Sequence, residues 1–291
     1  MLCFAVNILF TRYAVARMPV ESGFFVVLAT NILFPAAMFA VEIALRAAPL
    51  AWHWRQAGLF ALGGVIGTFL GRRFLFDAVR LLGPARASVF HSTAPAFALI
   101  GAWLLADERL GAYELLLMAI VWVGLWFTQP RSGRAAVTEA ERASASAARK
   151  GMLAGAMAVA GFGFGNVLRG VSMRGWDEAI LGAVISSVAA LACQLAATRD
   201  WRKIGAQFRA ARPSAVWLYV GCGVATALGS IFVALAMTRM EIALAVLVVH
   251  TTPIVIFPIS VFLLKNREEL SPRTLLGAAL VLAGIALLAI R

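Results

Sequence analysis

Long apolar runs, separated by short breaks, dominate the hydrophobic pattern of the chain. A helix that crosses roughly 30 Å of hydrocarbon needs about 20 mostly apolar residues, because each residue adds about 1.5 Å. Gly, Pro and charged residues mark the breaks, as in Arg46-Ala-Ala-Pro49 and Gly83-Pro84. The pattern predicts ten transmembrane helices, at residues 1–15, 22–45, 56–81, 85–105, 113–128, 152–173, 179–198, 214–238, 242–264 and 274–290.

The composition supports a membrane protein and excludes a water-soluble domain. Of the 291 residues, 62% are hydrophobic and 14% are charged, whereas soluble domains average about 45–50% apolar and about 25% charged residues. The net charge of +12 would point to a nucleic-acid partner in a soluble protein, but in a membrane protein the distribution of charge over the loops matters more. We therefore expect the lipid bilayer, and no nucleic acid, as a partner.

The two halves of the chain repeat each other. At an offset of 158 residues, Gly, Ala and Pro positions coincide: Gly63, Gly71, Ala85 and Pro95 match Gly221, Gly229, Ala243 and Pro253. At an offset of 160 residues, a polar and an apolar position coincide: Glu108 and Leu110 match Glu268 and Leu270. Apolar residues coincide by chance in any two membrane helices, but Gly, Pro and Glu at nearly one offset indicate a duplication.

A polar segment at residues 129–150, rich in Arg, Glu, Ser and Ala, separates the two copies and is predicted to be a solvated linker. The predicted domains are a first five-helix repeat at residues 1–128 and a second at residues 151–291. Because each copy has an odd number of helices, the second copy enters the bilayer upside down. The predicted fold class is an all-α integral membrane protein with ten transmembrane helices in a 5+5 inverted repeat.

Two copies of a short motif resemble the EamA family of the drug/metabolite transporter (DMT) superfamily. Ser92-Thr-Ala-Pro95, followed by Asp107-Glu108-Arg109-Leu110, is similar to the half-repeat signature of that family, and Thr251-Thr-Pro253 with Glu268-Glu-Leu270 repeats it. The resemblance covers nearly the whole chain. It implies a ten-helix transporter of small metabolites with a central cavity, which in bacterial members lies in the inner membrane. It does not imply a particular substrate.

Each EamA half is expected to carry an Asn in its first helix, and Asn7 and Asn166 are similar to that residue. About fifteen helical residues precede Asn166, but six residues precede Asn7. This difference predicts that Met1 is internal and that about ten residues are missing from the first helix.

Charged residues inside the predicted spans are candidates for substrate binding. Gly83-Pro84 forms a tight turn, so Arg72 and His91 lie on antiparallel neighbouring helices, both roughly 10–15 Å below the same interface. A charge at this depth costs at least about 2.5–3.5 kcal/mol, so it is expected to face an aqueous cavity and to have a partner. Arg72 or Arg73 would bind a substrate carboxylate or phosphate, and Asp77 is placed to pair with Arg73. Alternatively, both arginines snorkel to the interface or brace neighbouring helices.

The histidines and prolines of the fourth and ninth helices occupy equivalent places. His91 and His250 titrate near neutrality, so either could relay a proton, which makes protons the candidate coupling ion. The alternative is that each imidazole is bonded to a neighbouring helix and has no transport role. Pro95 and Pro253 remove backbone hydrogen bonds and are expected to kink their helices and expose carbonyl groups to a cavity.

Other residues receive structural interpretations. Glu108 and Glu268 are expected to cap or anchor the next helix at the interface. Gly63, Gly67 and Gly71 are spaced by four residues, and such small residues on one face let helices approach closely. The three cysteines lie in separate apolar runs and are expected to be packing residues. We expect neither a cofactor nor a metal ion.

The residues expected to bind substrate or line the cavity are polar side chains of several predicted helices: Asn7, Arg72, Arg73, Asp77, His91, Thr93, Asn166, Arg169, Ser230, His250, Thr251 and Thr252. Arg169 is expected to flank the mouth of the cavity, or to be a loop charge. The predicted function is secondary transport, more specifically export, of a small metabolite such as an amino acid or organic acid by alternating access. The arginine pair favours an anionic or zwitterionic cargo. The superfamily resemblance implies the same, because small multidrug resistance proteins use a Glu in the first helix to couple protons to cationic drugs, and the first helix here has no acidic residue.

Two other functions remain open at this point. A lipid-carrier flippase would use the same fold with a cavity that opens to lipid. An intramembrane protease is less favoured: Glu268-Glu-Leu-Ser-Pro-Arg273 fits a Glu-Glu-x-x-x-Arg motif, but no histidine follows Arg273. The orientation also stays open, because Lys and Arg concentrate in the odd-numbered connections, which the positive-inside rule places in the cytoplasm, whereas the EamA resemblance favours termini inside.

Overall fold

The computed structural model of the chain describes residues 2–15, 17–46, 49–82, 93–109, 111–128, 145–252 and 272–289. Within these ranges the chain forms eleven helices: α1 (Leu2–Val15), α2 (Val20–Leu45), α3 (Trp54–Leu82), α4 (Ala94–Ala106), α5 (Ala112–Thr128), α6 (Ala145–Gly175), α7 (Ala179–Ala197), α8 (Trp201–Ala210), α9 (Pro213–Ala236), α10 (Ile242–His250) and α11 (Pro272–Ala289). The predicted all-helical class is thus confirmed for the part of the chain that the structure describes.

Five of the described helices are long and apolar enough to cross a membrane: α2, α3, the Arg149–Gly175 part of α6, α7 and α9. Their bounds lie close to the predicted spans, because the apolar runs in the sequence end at charged residues or proline. The described parts of the other predicted spans are shorter or fall below the same criterion. Ten complete spans are therefore not all seen in the described residues.

Helix α8 was not predicted from the sequence. Its first turn is capped by Asp200, whose side chain accepts a hydrogen bond from the Lys203 backbone N–H at 2.9 Å. Ile204 is buried, whereas most of the remaining side chains are exposed. In the sequence pattern, residues 199–213 form a break between two predicted spans, but they contain a ten-residue amphipathic helix. Such a helix is too short to span a bilayer, so it gives no signal in a pattern of apolar runs.

The chain divides into two compact units. Unit 1 consists of Met1–Phe69 and Gly165–Glu241, and unit 2 consists of Leu70–Phe164 and Ile242–Arg291. Each unit therefore takes segments from both halves of the sequence.

In unit 1, α1 packs on α9, α2 packs on α7 and α9, and α7 also packs on the first part of α3. One of its apolar clusters is built around Phe60, Met173 and Trp176. In unit 2, α5 packs on α11, and α4 packs on α10. Helices from the first half of the sequence are therefore paired with helices from the second half inside each unit.

Candidate substrate-binding site

The first helix of the chain carries a polar cluster with α9. Asn7 Nδ2 donates a hydrogen bond to Thr226 Oγ1, and Thr11 Oγ1 donates to Asn7 Oδ1 at 3.0 Å. Thr11 Oγ1 also lies 3.4 Å from Cys222 Sγ. We call these four residues of unit 1 the Asn7 cluster. Thr226 lies near the middle of α9, so the cluster joins α1 to the centre of a membrane-length helix.

A second polar cluster joins α6 to the middle of α3. The Arg169 guanidinium donates through Nη2 to Thr68 Oγ1 at 2.6 Å and through Nη1 to Asn166 Oδ1 at 3.5 Å. These three residues, the Arg169 cluster, are half-buried and belong to unit 1. Thr68 lies at the midpoint of α3. Arg169 is not a loop charge, because its backbone lies within α6 and its guanidinium bonds the centre of α3.

The two clusters are related by the sequence repeat. Thr68 and Thr226 coincide at the offset of 158 residues, and Asn7 and Asn166 coincide at 159. In each cluster the first helix of one half therefore contacts the third helix of the other half. Both asparagines were predicted from the sequence, whereas both threonines were missed, although their equivalence at the main offset of the repeat is a signal that could have found them.

Close packing of small residues brings these helices together. A Cβ atom built on Gly63 would lie 2.9 Å from the carbonyl oxygen of Gly165 and 3.0 Å from Arg169 Cγ. The equivalent Gly221 would place a Cβ atom 2.7 Å from the ring of Phe10. The expected packing role of the glycines is thus confirmed at both positions. The side chain of Arg169 covers Gly63 as the ring of Phe10 covers Gly221.

The middle of α3 is a π-helix. It covers Gly64–Gly71 and contains Thr68. At its start, a Cβ atom on Gly64 would lie 2.1 Å from the carbonyl oxygen of Ser186 in α7, and Ser186 Oγ donates to the Phe60 carbonyl oxygen at 2.8 Å. Departures from α-helical hydrogen bonding of this kind are frequent at functional sites. Here the π-helix contains Thr68, whose hydroxyl accepts the hydrogen bond from Arg169.

The predicted charged residues of unit 2 form a different pair from the one expected. Asp77 Oδ1 lies 3.8 Å from Arg80 Nη2, so the carboxylate pairs with the residue three positions later and not with Arg73. Arg73 is exposed, whereas Arg72 is half-buried at the point where the π-helix returns to α-helix. Because i,i+3 and i,i+4 neighbours compete on a helix surface, spacing alone did not decide the partner.

The polar residues at the end of α10 bond to the backbone of their own helix. His250 Nδ1 lies 2.9 Å from the Val246 carbonyl oxygen, and Thr251 Oγ1 donates to the Val248 carbonyl oxygen at 2.6 Å. Thr252 Oγ1 likewise donates to the carbonyl oxygen three residues before it. Both threonines are buried. Two related residues lie outside the described ranges: His91, the first-half equivalent of His250, and Pro253, the second-half equivalent of Pro95.

Three further predicted residues belong to α4 and α9. Pro95 is buried in the first turn of α4, directly after Thr93 and Ala94. The N–H groups of a first turn have no partner within the helix, so a proline there removes no intrahelical bond. The kink that the sequence predicts at Pro95 stays a prediction. Ser230 is half-buried one turn after Thr226 on α9.

Glu108 is a helix cap, but not of the helix that was expected. Its Oε1 accepts a hydrogen bond from the Ile242 N–H at 2.7 Å, and its Oε2 accepts one from the Ala243 N–H at 3.3 Å. It therefore caps the N-terminus of α10 within unit 2, whereas the sequence predicted a cap on the next helix, α5. Glu268 lies outside the described residues. A carboxylate at this place favours the positive end of the helix dipole.

A cluster of charges joins the end of α2 to the start of α7. Arg46 Nη1 and Nη2 donate to Glu178 at 2.6 and 3.0 Å, and Arg46 also bonds Glu42. The hydrogen bonds that Arg46 donates to Glu178, and then to Glu42, raise the pKa of Arg46 above its usual value. This pairing gives Glu178 a structural role at a helix end. Within the described ranges, no three His, Cys, Asp or Glu side chains form a group that could hold a metal ion.

Comparison with known proteins agrees with a sequence built from two repeated halves. The chain matches the EamA-like transporter family over residues 1–129 and 149–290, which gives one match to each half of the sequence. The chain belongs to the EamA-like transporter family. The EamA-type resemblance of its two motif copies is thereby confirmed. The EamA chain is a multi-pass membrane transporter for a small-molecule substrate, and the family is not an enzyme family.

A solved crystal structure shares the fold of this EamA chain. The two proteins are 19% identical in sequence, the TM-score is 0.66, and the match covers 98% of this chain and 95% of the other. At that identity the likeness shows a shared fold alone. No curated protein matches the chain.

Proposed function

We propose that this EamA-family chain is a secondary transporter that exports a small metabolite, such as an amino acid or organic acid, across the bacterial inner membrane by alternating access. The proposed architecture is a 5+5 inverted repeat of ten helices. The observation that supports it is the pair of equivalent contacts Asn7 with Thr226 and Arg169 with Thr68. Each contact joins the first helix of one half to the third helix of the other, as expected for two copies related by a pseudo-two-fold axis.

Energy for transport is proposed to come from protons, with His91 and His250 as the relay. An imidazole changes its charge near neutral pH, so it suits proton movement between two conformations. The histidines lie at equivalent places in the two halves, 159 residues apart. The proposed substrate contacts also include Arg72 and Arg73 in α3, whose guanidinium groups match carboxylate or phosphate oxygens.

Transport into proteoliposomes tests this function. The purified chain is expected to give saturable uptake or efflux of one compound from a panel of amino acids, organic acids and sugar phosphates, and a pH gradient is expected to drive it. If no compound of the panel is transported, the proposed function is wrong. Transport that is saturable but insensitive to the gradient would remove the proton-coupling part alone.

Variants of the histidines and arginines separate the parts of the proposal. His91→Gln and His250→Gln are each expected to abolish the effect of the pH gradient, whereas His53→Gln is the matched control, because His53 is exposed just before α3. Arg72→Ala and Arg73→Ala are each expected to raise the KM of the identified substrate. Unchanged transport in both arginine variants would show that neither residue binds it.

A further inference from the structure

The two polar clusters of unit 1 differ at one position. Arg169 in the second half coincides with Phe10 in the first half, at the same offset of 159 residues that relates Asn7 to Asn166. Both side chains cover an equivalent glycine of a third helix, as described above. In the first half, an aromatic ring alone fills this position. The packing that the two halves share therefore does not require a guanidinium in the second half.

The guanidinium of Arg169 lies deep in the span. In an α-helix, side chains tilt toward the N-terminus, which for Arg169 is the direction of Asn166 and the centre of α6, away from the helix end at Gly175. Its 2.6 Å hydrogen bond to Thr68 places Nη2 at the midpoint of α3. The side chain therefore does not snorkel to the nearer interface. A charge at this depth is costly, and such residues normally have a partner or face water.

Most of the hydrogen-bonding capacity of Arg169 is unused by the described residues. A guanidinium has five N–H donors, and described side chains accept from Arg169 at Thr68 and Asn166 only, the second at a long 3.5 Å. Among the described residues, no carboxylate lies within 4.0 Å of it, since the ion pairs of unit 1 involve Arg46 and Lys203 instead. With respect to the described residues, the group thus keeps a positive charge and N–H donors without an acceptor in the middle of the span.

We propose that Arg169 binds the carboxylate of the transported metabolite, and that Thr68 and Asn166 orient its guanidinium for this contact. This inference rests on the proposed transport function and names the chemical class of its substrate. A carboxylate accepts two parallel N–H bonds from the guanidinium fork and supplies the opposite charge. Because Thr68 belongs to the π-helix, movement of that segment would change the direction of the fork.

The alternative is that Arg169 only braces the π-helix through Thr68. Four variants distinguish the two roles in the proteoliposome assay with the transported compound of the panel. Arg169→Gln keeps a hydrogen-bond donor without the charge, and Arg169→Lys keeps the charge without the fork. Thr68→Val removes the contact with the π-helix but keeps the arginine. Arg209→Gln is the control, because Arg209 is exposed on α8 and its one hydrogen bond within the described ranges is to the Gly205 carbonyl oxygen, at 3.4 Å.

The expected result is a change in substrate affinity that follows the charge. Arg169→Gln should raise the KM roughly 10- to 100-fold, since a hydrogen-bonded charged contact contributes about 1.5–3 kcal/mol and 1.4 kcal/mol is about tenfold. Arg169→Lys should raise it less, and Arg209→Gln should leave it unchanged. For the wild-type chain, the amide of the same compound should be transported with a KM raised by a similar factor.

The inference is overturned if Arg169→Gln leaves the KM unchanged, whether or not it changes the thermal stability as Thr68→Val does. It is also overturned if the wild-type chain transports the carboxylate and its amide equally well, a comparison that needs no folded variant. In both cases saturable transport would remain, so the proposed function would stand. Loss of all transport by the wild-type chain over the whole panel would instead reject the proposed function.

Discussion

The approach of α3 to α7 at Gly64 gives a sharp test of the fold around the Arg169 cluster. A Cβ atom at Gly64 would lie 2.1 Å from the carbonyl oxygen of Ser186 and 2.7 Å from its C and Cα atoms. All three are backbone atoms of a membrane-length helix, so no side-chain rotation can relieve the overlap. Gly64→Ala must therefore push α3 away from α7 by more than 1 Å, since ordinary Cβ contacts begin at 3.4 Å.

Three terms determine the size of the effect. Overpacking of a tightly packed interior costs about 1–3 kcal/mol. Separation of the helices also weakens the hydrogen bond from Ser186 Oγ to the Phe60 carbonyl oxygen, which is 2.8 Å long and whose net contribution is about 0.5–1.5 kcal/mol. Alanine in place of glycine stabilises a helix by about 1 kcal/mol, which offsets part of the loss. We expect Gly64→Ala to lower the free energy of unfolding by about 1–3 kcal/mol.

Gly58→Ala is the matched control in the same helix. Gly58 is exposed, and a Cβ atom there would meet no atom within 4 Å, so this variant should gain up to about 1 kcal/mol from helix propensity. Thermal unfolding in detergent is the assay, and the two variants should differ in Tm by roughly 2–6 °C. Ser186→Ala, which loses the hydrogen bond but keeps the backbone contact, should lie between them. Equal Tm values for the two glycine variants would refute the reasoning.

Two further predictions concern the caps and clusters of the separate units. Glu108→Ala should lower the free energy of unfolding by about 1.5–3 kcal/mol, because two N–H groups at the start of α10 lose a charged acceptor. The control is Asp107→Asn, which should have no effect on the Tm, because the carboxylate is exposed and pairs at 3.7 Å with the exposed Arg109. Asn7→Ala and Thr226→Val should show a coupling of about 0.6 kcal/mol in a double-mutant cycle, whereas the cycle of Asn7→Ala with Ser230→Ala should show none; equal coupling in both cycles would contradict the cluster.

The features that sequence predicted best are those that depend on hydrophobic length and on repetition. The long helices follow from apolar runs bounded by charge or proline, and the membrane class follows from composition. The packing of Gly63 and Gly221 follows from their spacing, because small residues four positions apart share one helix face. Asn7 and Asn166 were found because the same residue type recurs at an equivalent place in both halves.

The features that sequence did not predict depend on contacts between distant segments. The π-helix of α3 begins where Gly64 meets the backbone of Ser186, and these residues are separated by more than a hundred positions. The direction of the Arg169 side chain likewise depends on a residue distant in sequence, Thr68, which accepts its hydrogen bond. Asp77 pairs with Arg80 and not with Arg73. All three residues lie in one helix, but spacings of three and of four residues both permit an ion pair, so the sequence did not decide between the two arginines.

Differences between the two halves are more informative about the substrate than their similarities. Two copies that pack against each other in the same way need the same small and polar residues at their contacts, which accounts for the paired threonines Thr68 and Thr226 and the paired asparagines Asn7 and Asn166. A substrate is not symmetric, so the groups that recognise it are not required to recur. Arg169 packs on Gly63, whereas Phe10 packs on the equivalent Gly221. A carboxylate-binding residue can be accommodated at this position of the second half without disturbing the packing that both halves share.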